Sequence, residues 1–380
     1  MSDTKRDNMS LKTIILRSNQ VNPDSRVEKE VAALAEHGCE VAILAWDRRS
    51  DHPARKDTLC AFGYKVPIIR FGHKANFGDG FMSLKQYLLF QFNLFSWLIK
   101  NKNEYDVIHA CDFDTAFTAT IANIFLKKKF IFDIFDYIGG ERHTKLQRIL
   151  CHLQNWIINR ASATIICSED RKKQISQSKP KRTIVIHNSP PKLTIKEENN
   201  LKSPETVKIC YVGILQDYRL LNELAEFFKS HPEYEFHIGG FGKYEKLYKD
   251  LSENYRNIHY YGRLQYEDTL KLEIDCDIML AIYDPSIENH VFAAPNKFYE
   301  ALMIGRPLVM VKGTGMSDVI AKHNLGVTIE YNIDSFERGI KQLIEQRDAW
   351  PDISSRMKDV YENYSWDEMK PRLWNLYDSL

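Results

Sequence analysis

The chain has 380 residues, which suggests two or three domains, and its 44% hydrophobic and 27% charged content is typical of a globular protein. The 52 basic and 51 acidic residues almost cancel, which argues against a dedicated nucleic-acid binder because such proteins usually carry a basic excess. The seven cysteines include no CxxC pair, the N-terminus lacks a secretory apolar segment, and no apolar run reaches membrane-spanning length, so we expect a cytoplasmic protein with reduced thiols.

The first elements along the chain predict a parallel α/β fold. A short apolar strand at 13–16 is followed by a polar loop, a helix at 26–37 and a second strand at 41–46. This order is a βαβ unit, and open α/β sheets bind ligands in the loops at the carboxyl ends of their strands. Asn19 lies in the first of these loops. The loop has no GxGxxG pattern, so a dinucleotide oxidoreductase is not supported.

Polar side chains lie near the ends of two later strands of this half. His109 belongs to a strand predicted at 106–110. Asp133 is the last residue of the strand predicted at 130–133, and Asp136 lies just beyond it. Because these strand ends meet at one edge of a parallel sheet, we expect the three side chains near a ligand. The other strands of this half are predicted at 66–71, 164–167 and 183–187, and its other helices at 84–99, 116–126 and 142–160.

Two segments of the first half each admit two interpretations. The helix at 84–99 is crowded with aromatic residues, and the segment 171–182 holds six basic residues and no acid. A core helix and a solvated face are the ordinary interpretations, and we favour them. The alternatives are peripheral contact of the helix with a membrane surface and binding of an anionic membrane or diphosphate by the basic segment.

A polar, charged segment at 192–205 separates the first βα series from a second one. Two doubly wound sheets joined in this way are expected to face each other across a cleft, with a C-terminal helix crossing back. The domains are assigned to 1–195 and 207–360, with a linker at 196–206 and the C-terminal helix at 361–380. Strands of the second half are predicted at 208–212, 235–239, 258–261, 278–282 and 308–311, and helices at 220–230, 244–255, 269–274, 296–304, 317–323, 333–350 and 353–364.

The segment 294–307 encodes both ends of a short buried helix. Pro295 suits the first turn, where its missing N–H costs nothing, and Gly305 suits a left-handed stop. Glu300 is the one acid of this helix, and Lys297 lies one turn before it on the same face. The two side chains either form an internal ion pair or bind a ligand with hydroxyls and phosphates at the helix N-terminus, and the pattern leaves both open.

These residues make the chain resemble the GT-B glycosyltransferases, most closely the retaining, nucleotide-sugar-dependent family 4. The likeness covers nearly the whole chain and is most specific in the Pro-x-Lys-x-x-Glu-Ala-x-x-x-Gly-x-Pro pattern at 295–307. It implies that Glu300 binds the ribose of a sugar nucleotide. The other implied donor positions are Gly213, Arg219, Arg263, Pro295, Asn296 and Lys297, with Asn19 at the acceptor or diphosphate and His109, Asp133 and Asp136 at the reacting groups.

Three positions depart from the family pattern. Phe292 stands where an acid that contacts the donor sugar is expected, Ile214 follows Gly213 where the family usually has the arginine of a Gly-Arg-Leu, and Phe135 replaces a histidine. The sequence 112–114, Asp-Phe-Asp, also matches the DxD metal signature of another glycosyltransferase architecture. We interpret it as a cap for the next helix, which is predicted to start near residue 115.

The resemblance implies transfer of a sugar from a nucleotide-diphosphate sugar to a glycan or lipid-linked acceptor, in surface polysaccharide or other glycan synthesis. Arg219, Lys297 and a helix N-terminus could stabilise the leaving diphosphate, so we expect no metal or other cofactor and no nucleic-acid partner. A cytoplasmic enzyme with peripheral contact to the inner face of a membrane fits this activity. The alternatives are a nucleotide-sugar 2-epimerase of the same fold and a non-catalytic sugar-nucleotide-binding partner subunit.

Overall fold

The computed structural model of the chain describes residues 10–75, 83–138, 144–192 and 206–380. The chain divides into two compact units, Met1–Ile186 with Met369–Leu380, and His187–Glu368. Residues 196–205 of the predicted linker lie outside the described residues, as does the start of the helix predicted at 142–160.

The first unit is built on a mixed sheet. Its strands are β1 (Lys12–Arg17), β2 (Glu40–Asp47), β3 (Arg55–Ala61), β4 (Tyr64–Gly72), β5 (Val107–Cys111), β6 (Lys129–Ile134), β7 (Ala163–Ile166) and β8 (Thr183–Val185). Its helices are α1 (Ser25–Glu36), α2 (Leu84–Lys100), α3 (Asp112–Leu126), α4 (Lys145–Arg160) and the one-turn α5 (Arg171–Gln174). Among the described residues, the sheet has eight strands in the order β3-β4-β2-β1-β5-β6-β7-β8.

The central strand β1 is buried on both faces, as a strand between two parallel neighbours must be. The βαβ start predicted from the sequence is confirmed, and Asp24 caps α1 by accepting the N–H of Val27 at 3.3 Å. The backbone N–H of Asp24 donates in turn to Glu28 at 2.8 Å. These two bonds fix where the chain leaves the loop after β1.

The sequence analysis missed strand β3, which pairs with β4 in an antiparallel hairpin. Phe62 and Gly63 form its two-residue turn, both with positive φ (48° and 86°), as the favoured hairpin turns require. Most side chains of β3 are exposed and polar, so its sequence lacks the apolar alternation that predicts a strand. The hairpin therefore adds one antiparallel strand at the edge of a sheet whose other described pairings are parallel.

The second unit contains a fully parallel sheet. Its strands are β9 (Val207–Leu215), β10 (Tyr234–Gly242), β11 (Ile258–Tyr260), β12 (Ile278–Ala281), β13 (Leu308–Val311) and β14 (Gly326–Ile329). Its helices are α6 (Leu221–Ser230), α7 (Glu245–Asn254), α8 (Tyr266–Asp275), α9 (Glu288–Val291), α10 (Asn296–Ile304), α11 (Ser317–His323), α12 (Ile333–Glu345) and α13 (Trp350–Glu362). In the part of the chain that the structure describes, the strand order is β11-β10-β9-β12-β13-β14.

The motif helix α10 is confirmed with the predicted bounds. Pro295 occupies the position before its first residue, and Gly305 ends it with a φ of 78°. Both signals are local, which is why the sequence alone predicts them. The short strand β14 and the one-turn helix α9 were missed, since four residues carry too little periodicity.

The last helix, α14 (Trp366–Asp378), begins in the second unit and ends in the first, to which Met369–Leu380 belong. Within the first unit, the indole N–H of Trp374 donates to the carbonyl of Ala33 at 2.7 Å. None of the helices in the described ranges has both the length and the apolar character needed to cross a membrane.

Candidate functional site

In the second unit, glycines bring the ends of β9 and β10 close together. A Cβ atom at Gly240 would lie 1.8 Å from the carbonyl oxygen of Gly213, so the two backbones touch in a way only glycine permits. A Cβ atom at Gly213 would lie 2.6 Å from Nζ of Lys297. The missing side chain at Gly213 therefore leaves room for the Lys297 ammonium above the end of β9.

Arg219 lies in the loop between β9 and α6 and is largely buried. Its neighbours Tyr218 and Leu220 both have positive φ (67° and 54°), which is rare for bulky residues and is typical of functional sites. The guanidinium carbon lies 4.2 Å from the centre of the Tyr283 ring. Its Nη1 atom is 3.1 Å from Nε2 of His290. The loop thus holds a cation at the carboxyl edge of the sheet.

Lys297 approaches the same edge from α10. Its Nζ atom lies 4.7 Å from the ring centre of Tyr211 and 5.9 Å from that of Tyr283. Burial by itself lowers the pKa of Lys297, but the Tyr283 and Tyr211 hydroxyls and the Glu300 carboxylate together raise it by more. The net pKa is therefore raised, and the ammonium stays charged. The two positive charges of Arg219 and Lys297 therefore both lie near the ring of Tyr283.

Glu300 on α10 is 5% exposed, and a second acid lies near it. Burial and the Glu300 carboxylate raise the pKa of Glu273 on α8 well above its usual value, while Lys297 lowers it. The hydroxyl of Tyr266 hydrogen-bonds to Glu300, and burial together with that carboxylate raises the pKa of Tyr266. The environment that the structure gives Glu300 is thus a cluster of two acids, a tyrosine and a lysine.

The remaining residues predicted for the donor site differ in their exposure. Asn296 is exposed at the start of α10, and its side-chain oxygen accepts from Asn188 at 2.9 Å. Pro295 is buried. Arg263 is exposed, with its guanidinium carbon 4.5 Å from the ring centre of Phe241 at the end of β10. The departures Phe292 and Ile214 are both at least partly accessible to solvent.

In the first unit, two predicted site residues lie in the interior. Asp133 and His109 have no exposed surface, on the neighbouring strands β6 and β5. Asp133 pairs with the guanidinium of Arg26, which also donates to Glu30 at 3.1 Å. Nε2 of His109 lies 3.6 Å from Asp133 and 3.8 Å from Glu30, and its Nδ1 lies 2.8 Å from the hydroxyl of Tyr377.

Burial controls protonation in this interior cluster. Burial, reinforced by the Asp133 carboxylate, raises the pKa of Glu30 to about 7. Burial also raises the pKa of Asp133 to about 6, against the opposing effect of Arg26. It lowers the pKa of His109 to about 4, although the Glu30 carboxylate opposes this. The cluster therefore keeps a neutral imidazole and at least one carboxyl proton through the mildly acidic range.

A second ion-pair network surrounds the loop after β1. The guanidinium of Arg17 pairs with Asp112 and donates to Asp24 at 2.7 Å. Asn19 donates to the same Asp24 at 2.8 Å, so its side chain organises the loop. The Asp112 carboxylate accepts the backbone N–H groups of Phe135 and Asp136 at 3.0 and 3.1 Å.

The interpretation of Asp112 as a helix cap was wrong. Helix α3 begins at Asp112 itself, earlier than predicted, and has no side-chain cap. Asp112 instead ties the end of β6 to Arg17. The side chain of Asp136 is 81% exposed at this edge, 3.7 Å from Arg171 of the basic segment. Of the three catalytic predictions, Asp136 is thus the one whose carboxylate reaches solvent, and their roles stay predictions.

Two family models match complementary parts of the chain. The model described as "Glycosyl transferase 4-like domain" matches residues 23–189, and "Glycosyl transferases group 1" matches residues 193–361. The first covers most of the first unit and the second covers most of the second unit.

The chain belongs to the family 4-like GT-B glycosyltransferases. It is therefore an enzyme of the class that the segment 295–307 and the paired βα series predicted. Among curated proteins, none matches this glycosyltransferase in sequence.

Solved glycosyltransferase structures share the fold of this glycosyltransferase at low identity. Sucrose-phosphate synthase of Thermosynechococcus elongatus is 13% identical with a TM-score of 0.74, over 97% of this chain and 98% of that one. HepE of Anabaena in complex with UDP is 15% identical with a TM-score of 0.69, over 97% and 100%. The lipopolysaccharide outer core galactosyltransferase WaaB is 15% identical with a TM-score of 0.62, over 97% and 100%. The GT-B fold predicted for the chain is thereby confirmed.

Sequence reasoning missed several residues of the cluster around Arg219, Lys297 and Glu300. Tyr211 and Tyr283 contact the two cations, and Tyr266 and Glu273 adjoin Glu300. They come from β9, from the loop after β12 and from α8, so no fixed spacing connects them to the motif helix. The one available signal was the position of Glu273 one turn after Leu270 on α8, because an acid on the buried face of a helix needs a partner.

Proposed function

We propose that this glycosyltransferase takes its sugar from a nucleoside-diphosphate sugar bound at the carboxyl edge of the second unit's sheet. The observation that carries the proposal is that the cations of Arg219 and Lys297 both lie near the ring of Tyr283, 4.2 and 5.9 Å from its centre. Two cations and the N-terminus of α10 provide the positive field that a diphosphate leaving group requires. The solved structures of HepE with UDP and with UDP-glucose support a uridine nucleotide as the first donor to test.

Glu300 is proposed to accept hydrogen bonds from the ribose hydroxyls of the donor. A carboxylate accepts both hydroxyls of a cis-diol, and the Tyr266 hydroxyl orients it from the protein side. Because Glu273 lies nearby, burying the Glu300 charge costs more free energy unless a hydrogen-bond donor, such as a ribose hydroxyl, approaches it. This arrangement explains why a buried acid lies on a helix that is otherwise apolar.

The transfer step is proposed to retain the anomeric configuration. The bond between the anomeric carbon and the diphosphate oxygen breaks while the acceptor oxygen attacks the same face of the oxocarbenium-like sugar. The departing phosphate oxygen takes the acceptor proton, so the donor becomes a nucleoside diphosphate and no protein nucleophile is needed. Arg219 and Lys297 stabilise the charge that develops on the leaving group.

The acceptor is proposed to be a glycan or a lipid-linked sugar in surface-glycan synthesis. The lipopolysaccharide galactosyltransferase among the structural neighbours supports this class of pathway. In the first unit, the exposed Asp136 carboxylate offers a hydrogen-bond acceptor to such a substrate, and the buried Arg171 guanidinium lies 3.7 Å from it. Asp133 and His109 are proposed to act through the loop they hold in place rather than by touching the acceptor.

An apolar surface on three neighbouring helices of the first unit supports peripheral membrane contact. Phe92 on α2 is 67% exposed and Phe125 on α3 is 71% exposed, and α3 packs against both α2 and α4. Leu88 and Ile149 extend the surface on α2 and α4. The exposed basic residues nearby in sequence are Lys85, Lys127, Lys129, Lys145 and Arg148. Apolar side chains with lysines and arginines suit an anionic lipid surface.

Two experiments test these proposals. Titration calorimetry with UDP, ADP and GDP, each with and without its sugar, should give one binding site for at least one nucleotide. Arg219→Ala should weaken that binding, and failure of every nucleotide to bind would overturn the proposal.

For the membrane, flotation with anionic phosphatidylglycerol vesicles should recover the wild type but not Phe92→Glu. The hairpin variant Phe62→Glu, which changes another exposed aromatic residue, is the matched control.

A further inference from the structure

Three side chains with metal-ligand chemistry lie on one face of the edge of the second unit's sheet. Strand β11 is the edge strand, and its residue His259 pairs in register with His237 of β10. Glu235 precedes His237 by two residues, so both project from the same face of the strand. None of these three residues belongs to the cluster around Arg219, Lys297 and Glu300 described above.

The three side chains are close enough to share one ion. One ligand atom from each of Glu235, His237 and His259 lies within 4.8 Å of the other two. The two imidazole rings stack with their centres 4.7 Å apart, and Nε2 of His237 lies 3.2 Å from the Glu235 carboxylate. Small side-chain rotations would bring all three atoms to metal-bonding distance, about 2.0–2.2 Å from a central ion.

The other ring nitrogen of His237, Nδ1, already has a hydrogen-bond partner. This atom lies 2.8 Å from the hydroxyl of Tyr261, just beyond the end of β11. Metal-binding histidines are commonly oriented in this way, with one nitrogen hydrogen-bonded and the other left for the metal.

We propose that Glu235, His237 and His259 bind one divalent transition-metal ion, with zinc the best match. Two imidazoles and one carboxylate are a frequent three-ligand set for zinc, with water as the fourth ligand, whereas magnesium and calcium require mainly oxygen ligands. The site lies on the part of β10 that precedes Gly240. The ion therefore joins β11 to β10 and takes no part in sugar transfer.

The test uses the full chain, stripped of metal by a chelator and then titrated with ZnCl₂ in a calorimeter. The wild type should bind one zinc ion, and His259→Gln should weaken that binding by about tenfold or more. Glu235→Gln should weaken it as well. His152→Gln, which changes an exposed histidine on α4 in the first unit, should bind zinc like the wild type. Thermal melting in chelator checks that each variant is folded.

Cobalt distinguishes this site from the thiols, because Cys60 is exposed in the first unit. Co²⁺ bound by nitrogen and oxygen gives weak visible bands, whereas thiolate ligation adds an intense near-ultraviolet band. The proposal requires the visible bands to disappear in His259→Gln. Zinc affinity and stoichiometry equal to wild type in that variant, or a thiolate band in the wild type that Cys60→Ser removes together with zinc binding, would overturn it.

Discussion

The Nζ atom of Lys297 occupies the space that a side chain at Gly213 would need, since a Cβ atom there would lie 2.6 Å from it. The absence of a side chain at Gly213 therefore helps to place Lys297. It lets a lysine from α10 reach over the end of β9 and lie beside Tyr211. The position of the ammonium depends on a methyl group being absent.

Gly213→Ala is expected to weaken donor binding by about tenfold, or about 1.4 kcal/mol, because the Lys297 ammonium must move away from the diphosphate position. Its effect on folding should be smaller than that of Gly240→Ala, whose methyl group would meet the rigid carbonyl oxygen of Gly213 at 1.8 Å. Calorimetry with the donor and thermal melting of both variants measure the two effects. Unchanged donor affinity in Gly213→Ala would contradict this account of Lys297.

Glu300→Ala is expected to weaken donor binding by about 2 kcal/mol, the value of a hydrogen bond to a charged group. Folding should suffer less, because removing Glu300 also removes a charge that raises the pKa of the buried Glu273. Donor titration and thermal melting separate the two effects. Glu267→Ala, at an exposed position on α8, is the control. An unchanged dissociation constant with a lower melting temperature would favour a purely structural ion pair with Lys297.

Turnover is expected to survive treatment with EDTA. Arg219 and Lys297 supply positive charge at the donor site, and the carboxylates of the DxD sequence already have protein partners. Asp112 pairs with Arg17, and Asp114 accepts the backbone N–H of Thr115 at 2.9 Å. Complete loss of turnover in EDTA, restored by Mg²⁺ or Mn²⁺, would instead indicate that these two acids bind a catalytic metal.

The parts of the molecule that are encoded locally could be predicted from the sequence. The ends of α10 were predicted because Pro295 and Gly305 act on their own backbone. Strand β1 and helix α1 were predicted because the hydrophobic period changes between them. The hairpin strand β3 was missed because an exposed edge strand pairs through its backbone and needs no apolar pattern.

The candidate sites were only partly predictable, because their partners come from distant positions. Strand order brings Tyr211 and Tyr283 to Lys297, and no spacing in the sequence encodes that order. In the first unit, His109 and Asp133 lie on the paired strands β5 and β6, and their predicted place at a ligand stays a prediction. Their burial was not predictable, because it depends on the ring of Tyr377 covering His109.

Glu30 is expected to make the protein less stable as pH rises. The unfolded chain releases this proton near pH 4.5, whereas the folded protein holds it to about pH 7. The contribution of Glu30 is therefore fully present below pH 4.5 and is lost as pH rises through 7. His109 has the opposite effect between about pH 4 and 6.5, because its folded pKa is lowered. Because wild type and a Glu30 variant share His109, the difference between them isolates the Glu30 contribution, which changes mainly between pH 4.5 and 7.

Glu30→Gln should consequently gain stability relative to wild type between pH 5 and pH 8, on the order of 2–3 kcal/mol. The amide keeps the acceptor oxygen for Arg26 and cannot ionise. Urea denaturation at the two pH values measures the difference. Glu40→Gln, at an exposed strand end beside Lys12, should show no such gain. The same pH dependence in wild type and Glu30→Gln would mean that Glu30 is ionised in the folded protein.

The strongest prediction concerns Arg219 and Lys297 together. Both lie against Tyr283, with the guanidinium carbon 4.2 Å and the ammonium 5.9 Å from its ring centre. If one diphosphate lies between them, each stabilises charge that grows as the sugar departs, and its removal lowers kcat as well as affinity. Lys312→Ala, which removes an exposed lysine paired with Glu330, controls for a general effect of lost positive charge.

Arg219→Ala and Lys297→Ala should each reduce kcat by at least about tenfold, or about 1.4 kcal/mol. Their combined effect should depart from the sum of the single effects, because both cations act on one ligand group. A double-mutant cycle on kcat with a saturating donor measures this coupling. Additive losses would mean that the two cations act on separate groups. Turnover near the wild-type value in either single variant would leave that residue with only its contact to Tyr283 and no part in holding the diphosphate.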